Sequence, residues 1–333
     1  MSVRVGVNGF GRIGRLVVRA AAERQIEVVG VNDVMDIRTL AHLLRYDSTY
    51  GRYPGRVETD GDTLVVDGAR IRVTAEREPA RLDWAAVGAD VVVESTGKFR
   101  SRDDAALHLK AGARKVVLSA PGKGVDVTLV LGVNADDYDP ERHDVISNAS
   151  CTTNCVAPMV KVLHEAFGLR RGFLTTVHGY TNDQNVLDGP HTDLHRARAA
   201  AVNVIPTTTG AARAVGLVLP ELAGRLDGLA LRVPVEDGSL CDLAVLLDRE
   251  VTADEVNAAF RAAAGGELAG LLAYNEDPIV SRDVVGESAS CVFDATLTQA
   301  SGELVKVFGW YDNEWGYTQR LLDLVDLVGA RLD

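Results

Sequence analysis

Cys151 and His178 are the two side chains of this sequence best suited to covalent chemistry. Cys151 lies in Ser150-Cys151-Thr152-Thr153-Asn154, after a β-branched run around Ile146 and ahead of an apolar helical stretch ending near Phe167. A cysteine in the first turn of a helix feels unpaired backbone N–H groups and the positive end of the dipole, which stabilise a thiolate. His178 ends the β-branched run Phe173 to Val177 and is followed by Gly179, so its imidazole stands at a strand end where loops line a cleft. Thiolate beside imidazolium makes a nucleophile at neutral pH that carries its own acid and base. A buried packing cysteine is the other reading of Cys151, and spacing along the chain does not bring the two residues together.

Phosphate chemistry is written at two places. Gly9, Gly11 and Gly14 form GxGxxG directly after a strand-like run and at the head of a helix, where backbone N–H groups can approach a pyrophosphate. Asp33 closes the second strand-like run nineteen residues after Gly14. A carboxylate there accepts hydrogen bonds from both ribose hydroxyls and repels a 2′-phosphate, which predicts NAD rather than NADP; the plainer reading is a turn cap. Further on, Thr207, Thr208, Thr209 and Gly210 are expected to open a helix, and Arg196, Arg198 and Arg232 supply guanidinium groups. Hydroxyls and N–H groups at a helix start with an arginine fork suit a phosphate dianion, although each alone is more often a cap or a solvated arginine. Cys155, four residues after Cys151, reads as a packed residue. His191 and His195 have metal-pair spacing, but Gly189 and Pro190 precede them and no carboxylate motif completes a site, so no metal is expected.

The elements that must position these residues fall into two rhythms. Up to about residue 150, short β-branched runs (Val3 to Val7, Ile26 to Val31, Val91 to Glu94, Val116 to Ser119, Val127 to Leu131, Val145 to Ser147) alternate with helical stretches, one of them opened by Ser101 and Asp104. That rhythm predicts βαβ units and a parallel sheet. From Gly172 the runs lengthen (Phe173 to His178, Leu229 to Val235, Leu240 to Leu247, Leu304 to Trp310), as in an antiparallel or mixed sheet covered on one face. Thr252 and Glu255 form a capping box for a helix through Ala264, Pro158 marks either a helix start or a bend, and Leu321, Leu322, Leu324, Val325 and Val328 form a C-terminal helical stripe. The reading is α/β: a Rossmann-type NAD-binding domain over 1–150, with the helix of 315–333 packing back onto it, and an α+β catalytic domain over 151–314. A chain of 333 residues has room for about two domains.

Charge and composition narrow the function classes. With 47 acidic and 35 basic residues the formal charge is −12, which disfavours nucleic acid and anionic lipid as partners. No apolar run approaches the roughly 18 residues of a membrane helix and no leader pattern opens the chain, so a cytoplasmic protein is expected. Four cysteines are too few for a secreted disulfide framework in a chain this long, and no CxxC pair suggests structural zinc.

Taken in order, NGFGRIGR (8–15), SNASCTTNC (147–155), HGYTNDQ (178–184), RARAAAVNVIPTTTGAA (196–212), LRVPVEDGS (231–239) and WYDNEWGY (310–317) make the chain resemble the glyceraldehyde-3-phosphate dehydrogenase family from residue 2 to about 328. The resemblance implies a phosphorylating aldehyde dehydrogenase that oxidises glyceraldehyde 3-phosphate with NAD and inorganic phosphate. By that pattern Cys151 attacks the aldehyde, His178 takes the hydroxyl proton, and phosphate releases the acyl group from a Cys151 thioester. Arg12 and Ile13 would offer backbone N–H groups to the pyrophosphate, Asp33 would hold the adenosine ribose, Thr96 and Ser119 would line the cofactor cleft, and Asn313 would anchor the nicotinamide carboxamide. Thr181, Arg196 and Arg232 match a site for the substrate's C3 phosphate, and Ser150, Thr152, Thr209 and Gly210 a site for the attacking phosphate. The segment from Tyr180 to about Asn203 corresponds to a loop that packs on a neighbour's cofactor in a homotetramer.

Some positions depart from the commonest bacterial wording. Gly189-Pro190 replaces Leu-Pro, a form also compatible with NAD. His195 stands where arginine is frequent, which bears on a surface pair and no catalytic role. Glu236-Asp237 is unusually acidic for the turn after Arg232. The rival readings are erythrose-4-phosphate dehydrogenase, which PTTTG at 206–210 matches less well, and a thiol redox sensor, which would need neither His178 nor Asn313 nor two phosphate sites.

Overall fold

The computed structural model describes residues 2–332. The chain divides into two compact units, the first built from the residues up to Leu129, Asp136–Ala149 and the C-terminal segment from Thr318, the second from Val130–Ala135 and Ser150–Tyr317.

The first unit is organised by a nine-stranded sheet in the order Val127–Thr128, Val145–Ser147, Lys115–Leu118, Val91–Glu94, Val3–Asn8, Ile26–Asn32, Ala69–Thr74, Thr63–Val66 and Val57–Asp60. The first seven strands are parallel. Val91–Glu94 and Lys115–Leu118 are buried at every position, as strands covered on both faces must be. Strand order reverses at Val3–Asn8, whose neighbours are Ile26–Asn32 on one side and Val91–Glu94 on the other. In open parallel sheets such a switch point opens a crevice at the carboxyl ends of the strands.

Helix Trp315–Gly329 buries the expected stripe of Leu321, Leu322, Leu324, Val325 and Val328 completely. Within the first unit Arg24 ties its later turns down through Asp323 (2.5 Å) and Gln319 (2.7 Å).

Three details differ from the sequence reading of this half. The run expected to continue to Leu131 pairs only over Val127–Thr128. The helix opened by Ser101 is two short pieces, Arg102–Ala105 and Leu107–Lys110. The antiparallel extension over Val57–Thr74 leaves no strong pattern because few of its residues are buried.

The second unit has an eight-stranded mixed sheet in the order Ile205–Thr208, Leu226–Val233, Leu169–Gly179, Ser239–Leu247, Leu304–Tyr311, Cys291–Asp294 and Leu272–Asn275, with Gln299–Ser301 paired beside Leu304–Tyr311. Ser239–Leu247 alternates buried and half-buried along its whole length, the pattern of a sheet covered on one face. The cover is helix Cys151–Phe167, nearly all of whose residues from Thr152 to Leu163 are buried. Pro158 lies inside this helix rather than at its start. Thr252 and Glu255 close the expected capping box reciprocally, at 2.8 and 3.2 Å, at the head of helix Ala253–Gly265.

Thr207 and Thr208 correct the expectation of a four-residue helix opening. Both belong to strand Ile205–Thr208, because they continue the pairing with Leu226–Val233, and the helix starts only at Ala211 with Gly210 as its cap. Among the described residues no helix is long and apolar enough to cross a membrane.

Candidate active site and dinucleotide pocket

In the first unit Gly9 ends the central strand with φ +92°, and a Cβ there would lie 2.7 Å from the Thr96 nitrogen. Gly14, in the first turn of helix Arg12–Ala21, would drive a Cβ to 2.1 Å from the Gly9 carbonyl oxygen. Both positions need glycine because backbone approaches too closely for any side chain, that of Ser95 and Thr96 at Gly9 and that of Gly9 itself at Gly14. Gly11 is different: a Cβ would meet nothing within 4 Å, so the space beside it is open for a ligand. The helix has no acidic residue in its first turn to compete with an anion.

Asp33 lies just past the end of the neighbouring strand. Its carboxylate accepts the Phe10 N–H at 2.7 Å and the Met35 N–H at 3.0 Å, so it braces the glycine turn and caps its own turn. Gly9, Gly11, Asp33 and Thr96 line one cavity of about 250 Å³. Arg12 forms an ion pair with Asp47 at 2.5 Å, which leaves its backbone and that of Ile13 to the helix start. Ser119 closes strand Lys115–Leu118, its N–H donated to the Glu94 carbonyl.

In the second unit Ser150 caps helix Cys151–Phe167, its hydroxyl accepting the Thr153 N–H at 3.0 Å. Cys151 follows directly. Its Sγ lies 3.4 Å from His178 Nε2. The parallel pairing of Leu169–Gly179 with Leu226–Val233 sets His178 opposite Arg232. Arg232 Nη1 donates to the Gly179 carbonyl at 2.9 Å and lies 2.8 Å from His178 Nδ1. His178 Nδ1 is 2.7 Å from the same carbonyl. A guanidinium only donates, so Nδ1 either accepts from Arg232 or, carrying the hydrogen, donates to the Gly179 carbonyl beside it.

Burial pushes the Cys151 thiol up to about 11, against the pull of Arg232 and of hydrogen bonds from Thr152. Burial and the Arg232 charge together push His178 down to about 3. Desolvation opposes the helix start and disfavours charge on either group taken alone. At 3.4 Å a proton can pass between the two, so the sulfur can add to a carbonyl with His178 as the base.

Of the residues assigned to phosphate, Thr181, Arg196 and Arg232 come together around Asp183. Arg232 donates to the Thr181 hydroxyl (3.3 Å), which donates to Asp183, and Asp183 accepts from Arg196 at 2.5 Å. Burial raises the Asp183 carboxyl, but the Thr181 hydrogen bond and the two arginines win and hold it below the usual range. Asp193 lies 4.0 Å from Arg196 and accepts the Thr207 hydroxyl at 2.6 Å, so two cations face two carboxylates here, and Arg232 Nε is buried without a protein partner.

The other assigned hydroxyls each have a partner within the protein. Thr152 bonds Tyr311 OH at 2.8 Å, and Thr209 accepts the Ala211 N–H at 3.1 Å. Arg198 pairs with Asp188 and stands apart from the cluster. Asn313 receives the Ser239 hydroxyl on its Oδ1 at 2.6 Å, which turns its amide nitrogen outward from that bond.

Cys155 is fully buried, its sulfur 3.6 Å from the Gly309 carbonyl. His191 and His195 both turn to Asp193. Among the described residues no three metal-ligating side chains converge. Glu236 pairs with Arg282 at 2.8 Å, while Asp237 is buried and accepts the Asn313 N–H at 3.2 Å. Asp183, Tyr311 and Ser239 all lie inside segments quoted for the resemblance, yet nothing in their spacing marks them as partners.

Comparison with known proteins gives a consistent answer. Residues 3–102 match the NAD binding domain of glyceraldehyde 3-phosphate dehydrogenase, and residues 150–313 match its C-terminal domain. The chain is 59% identical to glyceraldehyde-3-phosphate dehydrogenase of Geobacillus stearothermophilus over 333 residues, 99% of each chain. It is 59% identical to the Streptomyces coelicolor protein of that name over the full length of both, and 57% identical to glyceraldehyde-3-phosphate dehydrogenase 1 of Bacillus subtilis over 99% of each. Fold and relatives define an NAD-dependent oxidoreductase acting on an aldehyde group. The chain belongs to the glyceraldehyde-3-phosphate dehydrogenase family.

Proposed function

We propose that this chain converts D-glyceraldehyde 3-phosphate and inorganic phosphate to 1,3-bisphosphoglycerate, with residues 1–150 and the C-terminal helix as the NAD-binding domain and 151–314 as the catalytic domain. The observation that carries the reading is the Cys151 sulfur at 3.4 Å from His178 Nε2, with Arg232 bonded to both the His178 turn and Thr181. Cys151 adds to the aldehyde, and His178 relays the thiol proton to the new alkoxide, which forms the hemithioacetal hydroxyl and leaves the imidazole neutral. NAD, when bound, would supply a hydride acceptor. His178 then withdraws that hydroxyl proton as hydride leaves, and phosphate attacks the resulting thioester, breaking its C–S bond so that the sulfur leaves as the Cys151 thiolate.

Arg232, Arg196 and Thr181 hold the C3 phosphate. The attacking phosphate meets the helix start at Thr209 and Gly210 and the turn at Ser150 and Thr152, through backbone N–H groups where the hydroxyls are already bonded. On the cofactor, Gly9, Gly11, Gly14 and the Arg12 and Ile13 N–H groups hold the pyrophosphate, Asp33 the ribose, Thr96 and Ser119 the cleft wall, and Asn313 the carboxamide.

A homotetramer is supported by apolar side chains left in water by the single chain. Phe173 is 72% exposed on the uncovered sheet face, and Val186, Leu187 and Leu194 are about 80% exposed in the 180–203 segment. Four free thiols fit a reducing cytoplasm.

The test is NADH formation from glyceraldehyde 3-phosphate, NAD and phosphate beside the same assay with erythrose 4-phosphate. The reading requires the triose to be favoured by at least about tenfold in kcat/KM, near the floor of what one discriminating contact supplies. Equal or reversed efficiencies would overturn it.

A further inference from the structure

From Thr96, Asn8 and Asn32 in the lining of the dinucleotide pocket a buried polar chain runs inward through Glu94 and His108, to which no role is assigned. The Trp84 indole donates to His108 Nδ1 at 3.0 Å, and His108 Nε2 lies 3.0 Å from Glu94 Oε2. Asn8 Nδ2 donates to the same Glu94 oxygen at 2.6 Å, and the Asn8 carbonyl oxygen accepts from Asn32 at 2.7 Å. Glu94 Oε1 accepts the Thr96 N–H at 2.8 Å and the Thr96 hydroxyl at 2.5 Å. Glu94, His108, Asn8 and Asn32 are all less than 5% exposed.

The direction of every bond in this chain is fixed. An indole only donates, so His108 Nδ1 is bare and Nε2 bears the hydrogen that points at Glu94. The Asn8 oxygen is committed to Asn32, so its NH₂ must face Glu94. Four donors therefore converge on one carboxyl group, whose two oxygens act as acceptors toward all of them. The Thr96 hydroxyl hydrogen is spent on Glu94, and one lone pair on its oxygen takes the Lys98 N–H at 3.1 Å. What Thr96 has left to offer is a single lone pair.

We propose that Glu94, oriented by His108 and Asn8, is a positioning residue that locks Thr96 as a hydrogen-bond acceptor in the dinucleotide pocket, where it selects a donor group of the cofactor, a ribose hydroxyl or amide hydrogen, over a phosphate oxygen. The proposal rests on the reading that NAD occupies this pocket. Glu94→Gln keeps shape but not polarity. Either orientation of the new amide sets its NH₂ against at least one donor, on the His108 and Asn8 side or at the Thr96 N–H. Thr96→Val removes the acceptor itself.

Calorimetric titration of the full chain with NAD provides the test. Glu94→Gln and Thr96→Val should each weaken binding about tenfold, the value of one charge-assisted or well-placed hydrogen bond, and the double variant should be no weaker than either alone. Additive losses would make Glu94 a structural residue and overturn the proposal, as would unchanged affinity in Glu94→Gln. If that variant does not fold, His108 decides. His108→Leu should weaken NAD several-fold, while His108→Gln, with a carbonyl for Trp84 and an NH₂ for Glu94, should restore it; equal affinities overturn the proposal. Asp33→Asn titrated alongside separates the two claims. Loss with Asp33→Asn but not with Glu94→Gln or His108→Leu removes the positioning role alone. No loss in any of these variants removes NAD from the pocket.

Discussion

The dinucleotide pocket and the thiol site are built from different materials. In the pocket, backbone is the working surface: two glycines exist because neighbouring main chain leaves no room for a Cβ, and a third faces open space. Its side chains stand behind the backbone, as Asp33 does when it holds the Phe10 N–H. In the thiol site the side chains are the working surface, and strand register brings them together. His178 and Arg232 are far apart in sequence but opposite each other in a parallel pair, and Cys151 reaches them from a helix start. A backbone site is broken by adding one carbon. A side-chain site is broken by removing one functional group.

The largest test of this contrast is Cys151→Ser. A serine hydroxyl beside His178 is a far weaker nucleophile than the thiol, so dehydrogenase turnover should fall by at least about a thousandfold. NAD affinity and melting temperature should not move, because Ser150 rather than Cys151 caps the helix. Turnover retained with serine, or lost only when Cys155 is alkylated, would reassign the nucleophile.

Next in size is Arg232→Ala. Truncating a buried guanidinium that holds a phosphate should cost on the order of a hundredfold in kcat/KM for glyceraldehyde 3-phosphate and much less for unphosphorylated glyceraldehyde. Its charge also acts on the pair beside it. Arg232 lowers both Cys151 and His178, so without it the thiolate loses a stabilising cation and the imidazolium loses a repelling one, and both groups move up. The rate of Cys151 alkylation by iodoacetamide should then rise at higher pH than in the parent. Matched losses on both substrates with an unmoved alkylation profile would make Arg232 a brace of the sheet.

What could be read from the sequence follows the same division. GxGxxG and Asp33 are legible because a backbone site is written in local residues whose order along the chain is their order in space. Cys151 and His178 are legible as types and as strand and helix ends, but their meeting depends on which strands pair and in what register. Thr207 and Thr208 show the limit. A threonine run before a glycine reads as a helix opening, and pairing with Leu226–Val233 makes it a strand instead. The directions in which the surroundings push Cys151 and His178 were also beyond spacing, since they depend on tertiary desolvation and on the nearby Arg232 charge. Glu94 and His108 gave no signal because a buried polar chain has no periodicity.

The glycines sharpen the comparison further. Gly11→Ala adds a methyl group that touches no protein atom at a backbone conformation alanine can adopt, φ −71°. The melting temperature should hold, while NAD binding weakens about tenfold as the methyl group takes space at the pyrophosphate. Gly14→Ala forces backbone apart and should lower stability by about 1–3 kcal/mol as well. Equal melting temperatures in the two variants, read by calorimetry, would mean that the close approach at Gly14 is not what requires glycine.

The smallest effect belongs to Asp33→Asn. Replacing the residue with alanine would confuse two roles, since the buried Phe10 N–H would lose its partner along with the charge. Asparagine keeps an oxygen for Phe10 and removes the negative charge, at the cost of the turn's Met35 N–H bond, which its NH₂ cannot accept. NAD should weaken only a few-fold, because an amide oxygen still accepts from one ribose hydroxyl. NADP should improve, because its 2′-phosphate no longer meets a carboxylate held in place by two backbone N–H groups. The ratio of kcat/KM for NAD over NADP should fall by about tenfold. If the parent uses both cofactors equally, or the substitution leaves the ratio unchanged, then Asp33 serves the turn alone. Cofactor choice would then lie in the side chains around it, and the pocket would be less a backbone site than its glycines suggest.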